Sequence, residues 1–451
     1  MIRRLLIANR GEIAVRIIAT CRRLGIESVL AASAADLAAL PARLADRTVC
    51  IGPAPSAQSY LNAGAIVAAA RDAACDAIHP GYGFLSESIV LAAAARQAGI
   101  VFIGPTEAQL AGVGDKLRAR ELAAAAGLPV VPGGAARSAA EAADIVKRIG
   151  CPILVKAVGG GGGRGMKLLS DPARTGETIA MAMAEAEAAF GDGRVYLERF
   201  VGRGRHVEVQ LIGDGDTVVA LGDRDCSIQR RYQKLVEEAP APALDENLRA
   251  RLHEAAAAFG RALAYRGLGT VEFLVDAGRG EFYFLEMNAR IQVEHPVTEA
   301  VTGLDLVAEQ IAVAEGRKLR PALHGIAPQG HAIEFRVNAE DSGRDFRPSP
   351  GTVTKAVFPA GDGIRVDTHV EAGSAMPPFY DSLVAKIIVH AEDRPAALAL
   401  ARRALAGCRI EGIATNLDMH RALLDDGEFA RGGVDTAYFA RFWRGGGAAP
   451  R

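Results

Sequence analysis

Apolar and polar positions alternate along the chain in short blocks, and the amino-terminal part predicts strands and helices in turn. Residues 4–8 form an apolar run typical of a strand, and residues 12–24 carry apolar side chains at a helical spacing that Gly25 ends. Further blocks of the same kind fall at residues 28–32, 62–72, 77–79 and 100–103. Strands that alternate with helices are typical of a parallel α/β domain, which we expect over residues 1–112.

A second unit follows a helical block at residues 115–126 and a connector rich in turn residues at 127–134. A strand at 152–156, a glycine run at 159–163 and a long Ala/Glu helix at 175–190 predict a small α+β lid over about residues 130–200. Antiparallel strands are predicted by the alternating or β-branched blocks at 195–199, 206–212, 217–222, 270–276 and 281–287. We expect lid and strands to form one domain over residues 113–327.

The last unit begins with an alternating block at residues 331–338 and contains a helix near 394–406. These elements predict a carboxyl-terminal domain over residues 328–445. The remaining residues, 446–451, are rich in Gly and Ala and are expected to be a frayed tail.

The composition describes a globular chain without a charge-driven partner. Half of its 451 residues are hydrophobic, and 52 Lys and Arg balance 53 Asp and Glu, so bulk charge favours neither nucleic acid nor an anionic membrane. Apolar stretches are broken before they reach the roughly 20 residues that cross a bilayer. The six cysteines are scattered without a CxxC pair. This pattern favours a reducing compartment, and we expect a cytoplasmic protein.

The sharpest local feature is the glycine run in KAVGGGGGRGMKL, which follows a predicted strand ending at Lys156. Glycines without Cβ atoms let backbone N–H groups approach phosphate oxygens, and they let a loop open and close. The run does not match the P-loop pattern, and no helix follows it promptly as a dinucleotide-binding fingerprint requires. It therefore indicates a mobile phosphate-covering loop, with a plain flexible linker as the alternative.

A second feature is the pair of predicted strands in VEFLVDAGRGEFYFLEMNARIQVEHPVTE. With a side-chain period of two, Glu272, Glu286 and Asn288 can point to one face and offer oxygen ligands to Mg²⁺. The alternation of polar residues continues through Arg290, Gln292 and Glu294 as if along the same strand face. The alternative is a salt-bridged sheet surface.

A third feature is the basic segment RDCSIQRRYQKLVEEAPAP. Arg230, Arg231 and Lys234 crowd positive charge beside Gln229 and Gln233, which would attract a small oxyanion. Alone, such a charge run is more typical of a solvated helix face. It indicates a site only together with the other two segments.

Taken together, the chain closely resembles the biotin carboxylase family of ATP-grasp enzymes. The motifs that carry the resemblance are IANRGEIAVRI, IHPGYGFLSES, GGGGGRGM, RHVEVQ, RDCSIQRR, EEAPAP, EMNARIQVEHPVTE and FRVNAED. They lie in the family's order and cover essentially the whole chain. The resemblance implies an ATP-grasp fold, mixed α/β and α+β, with an amino-terminal parallel α/β domain, a mobile lid and a carboxyl-terminal biotin carboxylase domain.

The resemblance also implies a nucleotide site. Residues implied to contact ATP are Lys116 and Lys156 at phosphates or base, Glu198 at the adenine edge, His206 at the ribose, the lid glycines Gly161, Gly162 and Gly163, and Gln229 and Tyr232. Glu272, Glu286 and Asn288 would hold two Mg²⁺ or Mn²⁺ ions that neutralise the triphosphate.

The implied reaction carboxylates the ureido nitrogen of carrier-bound biotin. Glu294 would be the base that deprotonates bicarbonate, and its alternative role is an ion pair with Arg290. Arg290, Gln292, Val293 and Lys234 would surround bicarbonate while its oxygen attacks the γ-phosphate to give carboxyphosphate. Carboxyphosphate would then release CO₂ and a phosphate that deprotonates biotin. Arg336 would neutralise the biotin enolate.

Two segments depart from the family pattern. Tyr232 stands where the family usually has histidine, so the contact with nucleotide phosphate is expected to differ because tyrosine carries no positive charge. The stretch 33–45 is less polar than in the family, with Pro41 in place of a histidine, and we assign it no function.

The resemblance implies partners and leaves two other functions open. The partners would be a biotin carboxyl carrier protein or domain, a carboxyltransferase subunit, and a second copy of the chain in a homodimer. Acetyl-CoA carboxylase is the commonest assembly in which the first two occur. Another ATP-grasp ligase is one alternative, disfavoured by EMNARIQVEHP and FRVNAED. A catalytically silent scaffold is the other, and it would be expected to lack Glu294, Arg290 or the metal carboxylates.

Overall fold

The amino-terminal unit is a five-stranded parallel sheet with the order β3-β2-β1-β4-β5, in a computed structural model that describes residues 1–158 and 166–443. Its strands are β1 (Arg4–Ile7), β2 (Glu27–Ala32), β3 (Arg47–Cys50), β4 (Ala77–His79) and β5 (Val101–Phe102). Its helices are α1 (Gly11–Leu24), α2 (Leu40–Leu44), α3 (Ala63–Asp72) and α4 (Ile89–Gln97). The predicted parallel α/β arrangement is confirmed.

Both faces of this sheet are covered, which explains the unbroken apolar run of β1. Leu5 packs in one hydrophobic cluster with Ile17 of α1, and Leu6 packs in another with Ile66 of α3. Because successive side chains of a strand point to opposite faces, a strand covered on both sides needs apolar residues at every position. The predicted end of α1 is also confirmed, since Gly25 caps it with a φ of 69°.

A small antiparallel sheet with two helices forms the second unit. It follows α5 (Glu107–Gly114) and α6 (Lys116–Ala125). Its elements are β6 (Gly133–Ala136), α7 (Ala139–Ile149), β7 (Ile153–Ala157), β8 (Met166–Leu169), α8 (Thr175–Phe190) and β9 (Val195–Arg199), with the strand order β6-β9-β7-β8. The predicted α+β character and the helix at 175–190 are confirmed. The glycine run with Gly161, Gly162 and Gly163 lies outside the described residues, as does the tail 446–451.

The largest sheet has eight strands in the order β14-β13-β10-β11-β12-β15-β22-β20, and all its pairings are antiparallel. Its first part contains β10 (Arg205–Asp214), β11 (Val218–Arg230), β12 (Gln233–Ala239), α9 (Glu246–Ala262), β13 (Arg266–Asp276), β14 (Glu281–Asn288), α10 (His295–Thr302) and α11 (Leu306–Ala314). The antiparallel strands predicted here are confirmed.

The carboxyl-terminal unit extends this same sheet. Its strands are β15 (His331–Asn338), β16 (Glu340–Asp341), β17 (Arg347–Pro348), β18 (Gly351–Thr352), β19 (Lys355–Val357), β20 (Ile364–Thr368), β21 (Ala375–Met376), β22 (Leu383–Ala391) and β23 (Arg409–Glu411). Its helices are α12 (Arg394–Gly407), α13 (Leu417–Leu424), α14 (Gly427–Arg431) and α15 (Tyr438–Phe442). Because β15 pairs with β12, the sheet runs without a break from the central unit into the last one.

Two local expectations are wrong. The basic segment lies on β11, β12 and the turn between them, so the helix face considered as its alternative does not exist. Arg231 and Tyr232 form that turn with φ values of 49° and 67°, and neither is a residue that commonly signals a tight turn. The polar alternation after Asn288 is not a strand either, because the backbone leaves the sheet there and reaches Glu294 with φ −80° and ψ 7° at the start of α10.

In the part of the chain that the structure describes, helices are too short or too polar to cross a lipid bilayer.

Candidate active site

A cavity of about 1220 Å³ lies between the small sheet, the large sheet and the amino-terminal unit. It is lined by every predicted site residue that the structure describes: Lys116, Lys156, Glu198, His206, Gln229, Tyr232, Lys234, Glu272, Glu286, Asn288, Arg290, Gln292, Val293, Glu294 and Arg336. These residues come from α6, the small sheet, the central strands with the segment that follows them, and β15 of the carboxyl-terminal unit. The fold therefore gathers into one place what the sequence analysis found in separate segments.

Lys234 lies at the centre of three carboxylates. Its Nζ donates to Glu208 at 2.6 Å, to Glu272 at 3.0 Å and to Glu294 at 2.5 Å. Burial by itself lowers the pKa of Lys234, but Cys226 and the surrounding carboxylates outweigh it and hold that pKa well above its usual value. Lys234 is therefore a permanent cation in the cavity.

Glu294 is held between two cations. One carboxylate oxygen accepts from Lys234, and the other accepts from Nη2 of Arg336 at 2.8 Å. Burial raises the pKa of Glu294, yet Lys234 and Arg336 outweigh it and place that pKa well below the usual range. Glu294 is thus an ionised carboxylate in the cavity wall.

Arg290 does not pair with Glu294, so the alternative role considered for that carboxylate is wrong. The Nε of Arg290 lies 3.0 Å from Glu87, and its Nη2 donates to Oδ1 of Asn288 at 2.6 Å. Glu87 belongs to IHPGYGFLSES in the amino-terminal unit. Arg290 is therefore anchored from that unit, and Glu294 keeps its partners on β12 and β15.

Glu272 and Glu286 face each other across β13 and β14, next to Asn288. The Nδ2 of Asn288 donates to Glu272 at 2.9 Å, and Nζ of Lys116 lies 3.9 Å from Glu286. Burial and the charge of Glu272 both raise the pKa of Glu286. A divalent cation between the carboxylates would remove this repulsion, and oxygen ligands suit Mg²⁺, so the residues fit the predicted metal site.

The predicted nucleotide residues divide between the two sheets. On the small sheet, Nζ of Lys156 lies 2.5 Å from the Glu198 carboxylate. On the large sheet, His206 accepts at Nδ1 from Nε2 of Gln229 at 2.7 Å, and its Nε2 lies 2.9 Å from Glu272. Because an amide nitrogen can only donate, this contact makes Nδ1 the acceptor and leaves the proton on Nε2. Tyr232 is 59% exposed at the hairpin turn.

Several residues that organise this site were not predicted from the sequence. Glu208 and Arg224 form a fully buried ion pair at 2.6 Å, and Glu237 pairs with Arg336. The signal in the sequence is a charge flanked by apolar residues within a strand: Glu208 lies between Val207 and Val209 in β10. A carboxylate inside such a strand requires a cationic partner, which the sequence did not identify.

Three family descriptions match nearly the whole chain. Residues 115–322 match "Carbamoyl-phosphate synthase L chain, ATP binding domain", residues 1–110 match "Biotin carboxylase, N-terminal domain", and residues 334–441 match "Biotin carboxylase C-terminal domain". Fold and site thus define an ATP-dependent ligase of the ATP-grasp superfamily. The two flanking matches narrow the class, and the chain belongs to the biotin carboxylase family.

Individual relatives agree over the full length. The chain is 48% identical over 438 residues to "Biotin carboxylase" of Nostoc sp., covering 96% of this chain and 98% of that protein. It is 46% identical over 445 residues to "Biotin carboxylase" of Pseudomonas aeruginosa, covering 98% of each. A solved structure of the Campylobacter jejuni biotin carboxylase in complex with β-γ-ATP superposes with a TM-score of 0.93 at 45% identity, covering 98% of this chain and 99% of that one.

A second solved structure comes from a different carboxylase. The biotin carboxylase domain of Hydrogenobacter thermophilus 2-oxoglutarate carboxylase superposes with a TM-score of 0.92 at 40% identity, covering 98% of both chains. That domain is described as a dimer in complex with MgADP, ADP and bicarbonate. The resemblance stated from the sequence is confirmed.

Proposed function

We propose that this chain uses ATP and bicarbonate to carboxylate the ureido nitrogen of biotin on a carrier protein, giving ADP, phosphate and carboxybiotin. The observation that carries the proposal is Glu294. It is ionised, buried and held by Lys234 and Arg336, in the cavity that also contains the paired carboxylates Glu272 and Glu286. A base beside a cation-binding carboxylate pair is the arrangement that activation of a small acid by ATP requires.

For the nucleotide, we propose contacts with Lys116, Lys156, Glu198, His206, Gln229 and Tyr232, and a cover formed by Gly161, Gly162 and Gly163. Glu272, Glu286 and Asn288 would hold two Mg²⁺ or Mn²⁺ ions, which neutralise triphosphate charge when bound. The ion pair between Lys156 and Glu198 supports this arrangement, because it leaves a neutral pair of donor and acceptor on one wall of the cavity. Such a pair suits the edge of a base.

For the first chemical step, Glu294 accepts the proton of bicarbonate. The freed oxygen then attacks the γ-phosphorus of ATP, the bond to the β-γ bridging oxygen breaks, and carboxyphosphate and ADP form. Lys234, Arg290, Gln292 and Val293 surround the anion. Two cations at fixed positions stabilise the negative charge that gathers on carboxyphosphate.

For the second step, carboxyphosphate separates into CO₂ and phosphate, and the phosphate removes the ureido proton of biotin. Arg336 stabilises the enolate, and the deprotonated nitrogen attacks CO₂. Arg336 suits this role because Glu237 and Glu294 hold its guanidinium from two sides. Restraint of this kind reduces the reorganisation needed when the enolate forms.

We also propose the partners, the oligomeric state, the domain boundaries and the location of the chain. The partners are a biotinylated carrier and a carboxyltransferase, acetyl-CoA carboxylase is the most common assembly of this kind, and the chain forms a homodimer. The proposed domains are residues 1–112, 113–327 and 328–445. The six cysteines, all within the described ranges, are free thiols, which supports a reducing, cytoplasmic location.

The test is ATP hydrolysis by the purified chain with Mg²⁺, with and without bicarbonate and free biotin, together with fixation of labelled bicarbonate. We expect hydrolysis to depend on bicarbonate and fixation to depend on biotin. Hydrolysis indifferent to both compounds would instead identify another ATP-grasp ligase. Failure to bind nucleotide would identify a silent scaffold.

A further inference from the structure

A fully buried arginine lies behind the cavity wall. Arg224 belongs to β11, is 0% exposed, and comes from the segment RDCSIQRR. Its guanidinium donates five hydrogen bonds, all to side chains: Glu208 at 2.6 Å, Gln210 at 2.7 Å, Thr298 at 2.8 Å, Thr270 at 3.2 Å and Gln292 at 2.9 Å. The guanidinium therefore uses its full set of N–H donors on residues from two strands, a loop and a helix.

One of these bonds determines how Gln292 is oriented. A guanidinium has no acceptor, so Gln292 must present its Oε1 to Arg224. Its Nε2 then points the other way and donates to Glu272 at 3.0 Å. Gln292 lines the cavity and Arg224 does not touch the cavity surface among the described residues. The buried arginine thus selects which end of a cavity-lining amide faces the carboxylates.

A second bond determines where Lys234 lies. One oxygen of Glu208 accepts from Arg224 at 2.6 Å, and the other accepts from Lys234 at 2.6 Å. Burial lowers the pKa of Arg224, but the charges of Glu208 and Glu294 outweigh it and raise that pKa. Arg224 therefore stays charged, and Glu208 is a rigid link between it and Lys234.

We propose that Arg224 is a positioning residue that fixes Gln292 and Lys234 in the geometry that binds bicarbonate. The inference deepens the proposed function and rests on it for the identity of the bound anion. Lysine cannot replace Arg224, because an ammonium has three donors and lacks the planar fork that reaches five acceptors at once.

The test compares Arg224→Lys with Arg205→Lys. Arg205 is a suitable control because it is 2% exposed on the same sheet and donates to Asp225, Pro242 and Ala243, which lie outside the cavity lining of the described chain. We expect Arg224→Lys to raise KM for bicarbonate about tenfold, the size of one lost charge-assisted hydrogen bond, while KM for ATP stays nearly constant. It should also increase the share of ATP hydrolysed without bicarbonate. Arg205→Lys should lower Tm alone.

Thr298→Val provides a gentler variant in case Arg224→Lys does not fold. It keeps the side-chain shape and removes one acceptor of Arg224. We expect a rise of about threefold in KM for bicarbonate, smaller than for Arg224→Lys because Arg224 keeps its other four acceptors. If both variants lose only Tm and keep KM for bicarbonate, Arg224 is a structural residue and the proposal is overturned.

Crystal structures of Arg224→Lys and the unaltered chain decide the inference independently of activity. If Arg224 positions these side chains, the Gln292 amide moves away from Glu272 in Arg224→Lys and the Lys234 ammonium is displaced. The strands stay unchanged. Unmoved Gln292 and Lys234 would overturn the inference. Hydrolysis by the unaltered chain that ignores bicarbonate would contradict the proposed function alone, because the crystallographic comparison still decides whether Arg224 positions these side chains.

Discussion

Two carboxylates that share Arg336 differ in protonation. Burial raises the pKa of both, but Glu294 also has Lys234 and Arg224 nearby, and its pKa falls well below the usual range. Glu237 has Arg336 as its main opposing charge and is repelled by Glu294, so its pKa rises to about 7. Glu294 is therefore ionised at neutral pH, while Glu237 is partly protonated.

Glu294→Gln is expected to abolish carboxylation while ATP binding persists. The amide cannot take the bicarbonate proton, and general-base catalysis commonly contributes 10²–10⁴-fold, so we expect biotin-dependent fixation to fall at least about 100-fold. Fixation of labelled bicarbonate and a nucleotide-binding titration measure the two effects. The matched control is Glu238→Gln, a buried carboxylate that accepts from His331 and Arg394 and should affect Tm alone. Equal losses of fixation in both variants would contradict the assignment.

Glu237→Gln is expected to change the pH dependence of stability. Because the pKa of Glu237 rises from 4.5 to about 7 on folding, its contribution to stability is fully present below pH 4.5 and is lost as the pH rises through 7. As the pH rises from 4.5 to about 7, the unfolding free energy of the wild type should therefore fall by roughly 1–3 kcal/mol more than that of Glu237→Gln. Denaturant unfolding at several pH values measures the difference.

Glu238→Gln is again the control, because the pKa of Glu238 shifts in the opposite direction on folding. Burial raises the pKa of Glu238, but His331 and Arg394 outweigh it and the pKa is lowered. Its contribution is therefore present above the unfolded pKa and lost as the pH falls. Parallel unfolding curves for the wild type and Glu237→Gln across the window would contradict the role given to Glu237.

At the scale of elements, the hairpin of β11 and β12 delivers Gln229 and Lys234 to the cavity through a strained turn. Arg231 and Tyr232 both have positive φ, and left-handed backbone costs about 1–2 kcal/mol for a residue with a large side chain. The turn is tied to the carboxyl-terminal unit, because Arg230 and Arg231 both lie within 3.0 Å of Asp345.

Tyr232→Asn is expected to stabilise the chain and weaken ATP binding. Asparagine tolerates the left-handed region, so we expect a gain of about 0.5–1 kcal/mol in unfolding free energy. Loss of the ring from the cavity wall should raise KM for ATP. Tyr232→Leu removes the same ring while keeping a side chain that is unbranched at Cβ, and therefore the strain, so it should share the KM change without the gain. A gain in both variants would show that backbone strain is not the cause.

Most elements follow from periodicity, while the exceptions arise where contacts distant in sequence decide the conformation. The helix at 175–190 and the strand at 331–338 have the bounds predicted for them. The turn at Arg231 and Tyr232 could not be predicted, because neither residue type favours a left-handed backbone. The path of Arg290 to Glu294 depends on Glu87, about two hundred residues away, and spacing along the chain carries no information about that contact.

The site residues were predictable where they resemble family motifs, and their partners were not. Lys234, Glu272 and Glu294 stand in segments whose polar residues are visible in sequence. Lys234 donates to Glu208, and Glu208 in turn accepts from Arg224, but both of these partners look in sequence like ordinary strand residues. Glu208 and Arg224 hold the site because both are buried and need charged partners, and their burial becomes known only when the sheet is assembled.

At the scale of the whole molecule, the continuous sheet joins the central and carboxyl-terminal units. Val236 of β12 and Phe335 of β15 are register partners and share one hydrophobic cluster. The boundary proposed near residue 328 therefore separates segments of chain that share a core. The two units are expected to fold as one.

A chain ending at residue 327 is expected to aggregate, whereas one ending at residue 443 should remain monodisperse. The shorter chain loses β15, which leaves β12 as an open edge with exposed apolar residues. The longer one keeps all eight strands of the sheet. Size-exclusion chromatography with light scattering measures the difference. A monodisperse, folded shorter chain would show that the central unit is independent.

The pairing of β12 with β15 also sets a length inside the site. Lys234 and Arg336, the two cations that hold Glu294, project from these neighbouring strands, and paired strands lie about 4.8 Å apart. The spacing of the two strands that carry the cations around Glu294 is thus set by backbone hydrogen bonds, which side-chain substitutions leave in place. Substitutions elsewhere on these two strands should therefore leave the anchor points of the cations that hold Glu294 at an unchanged separation.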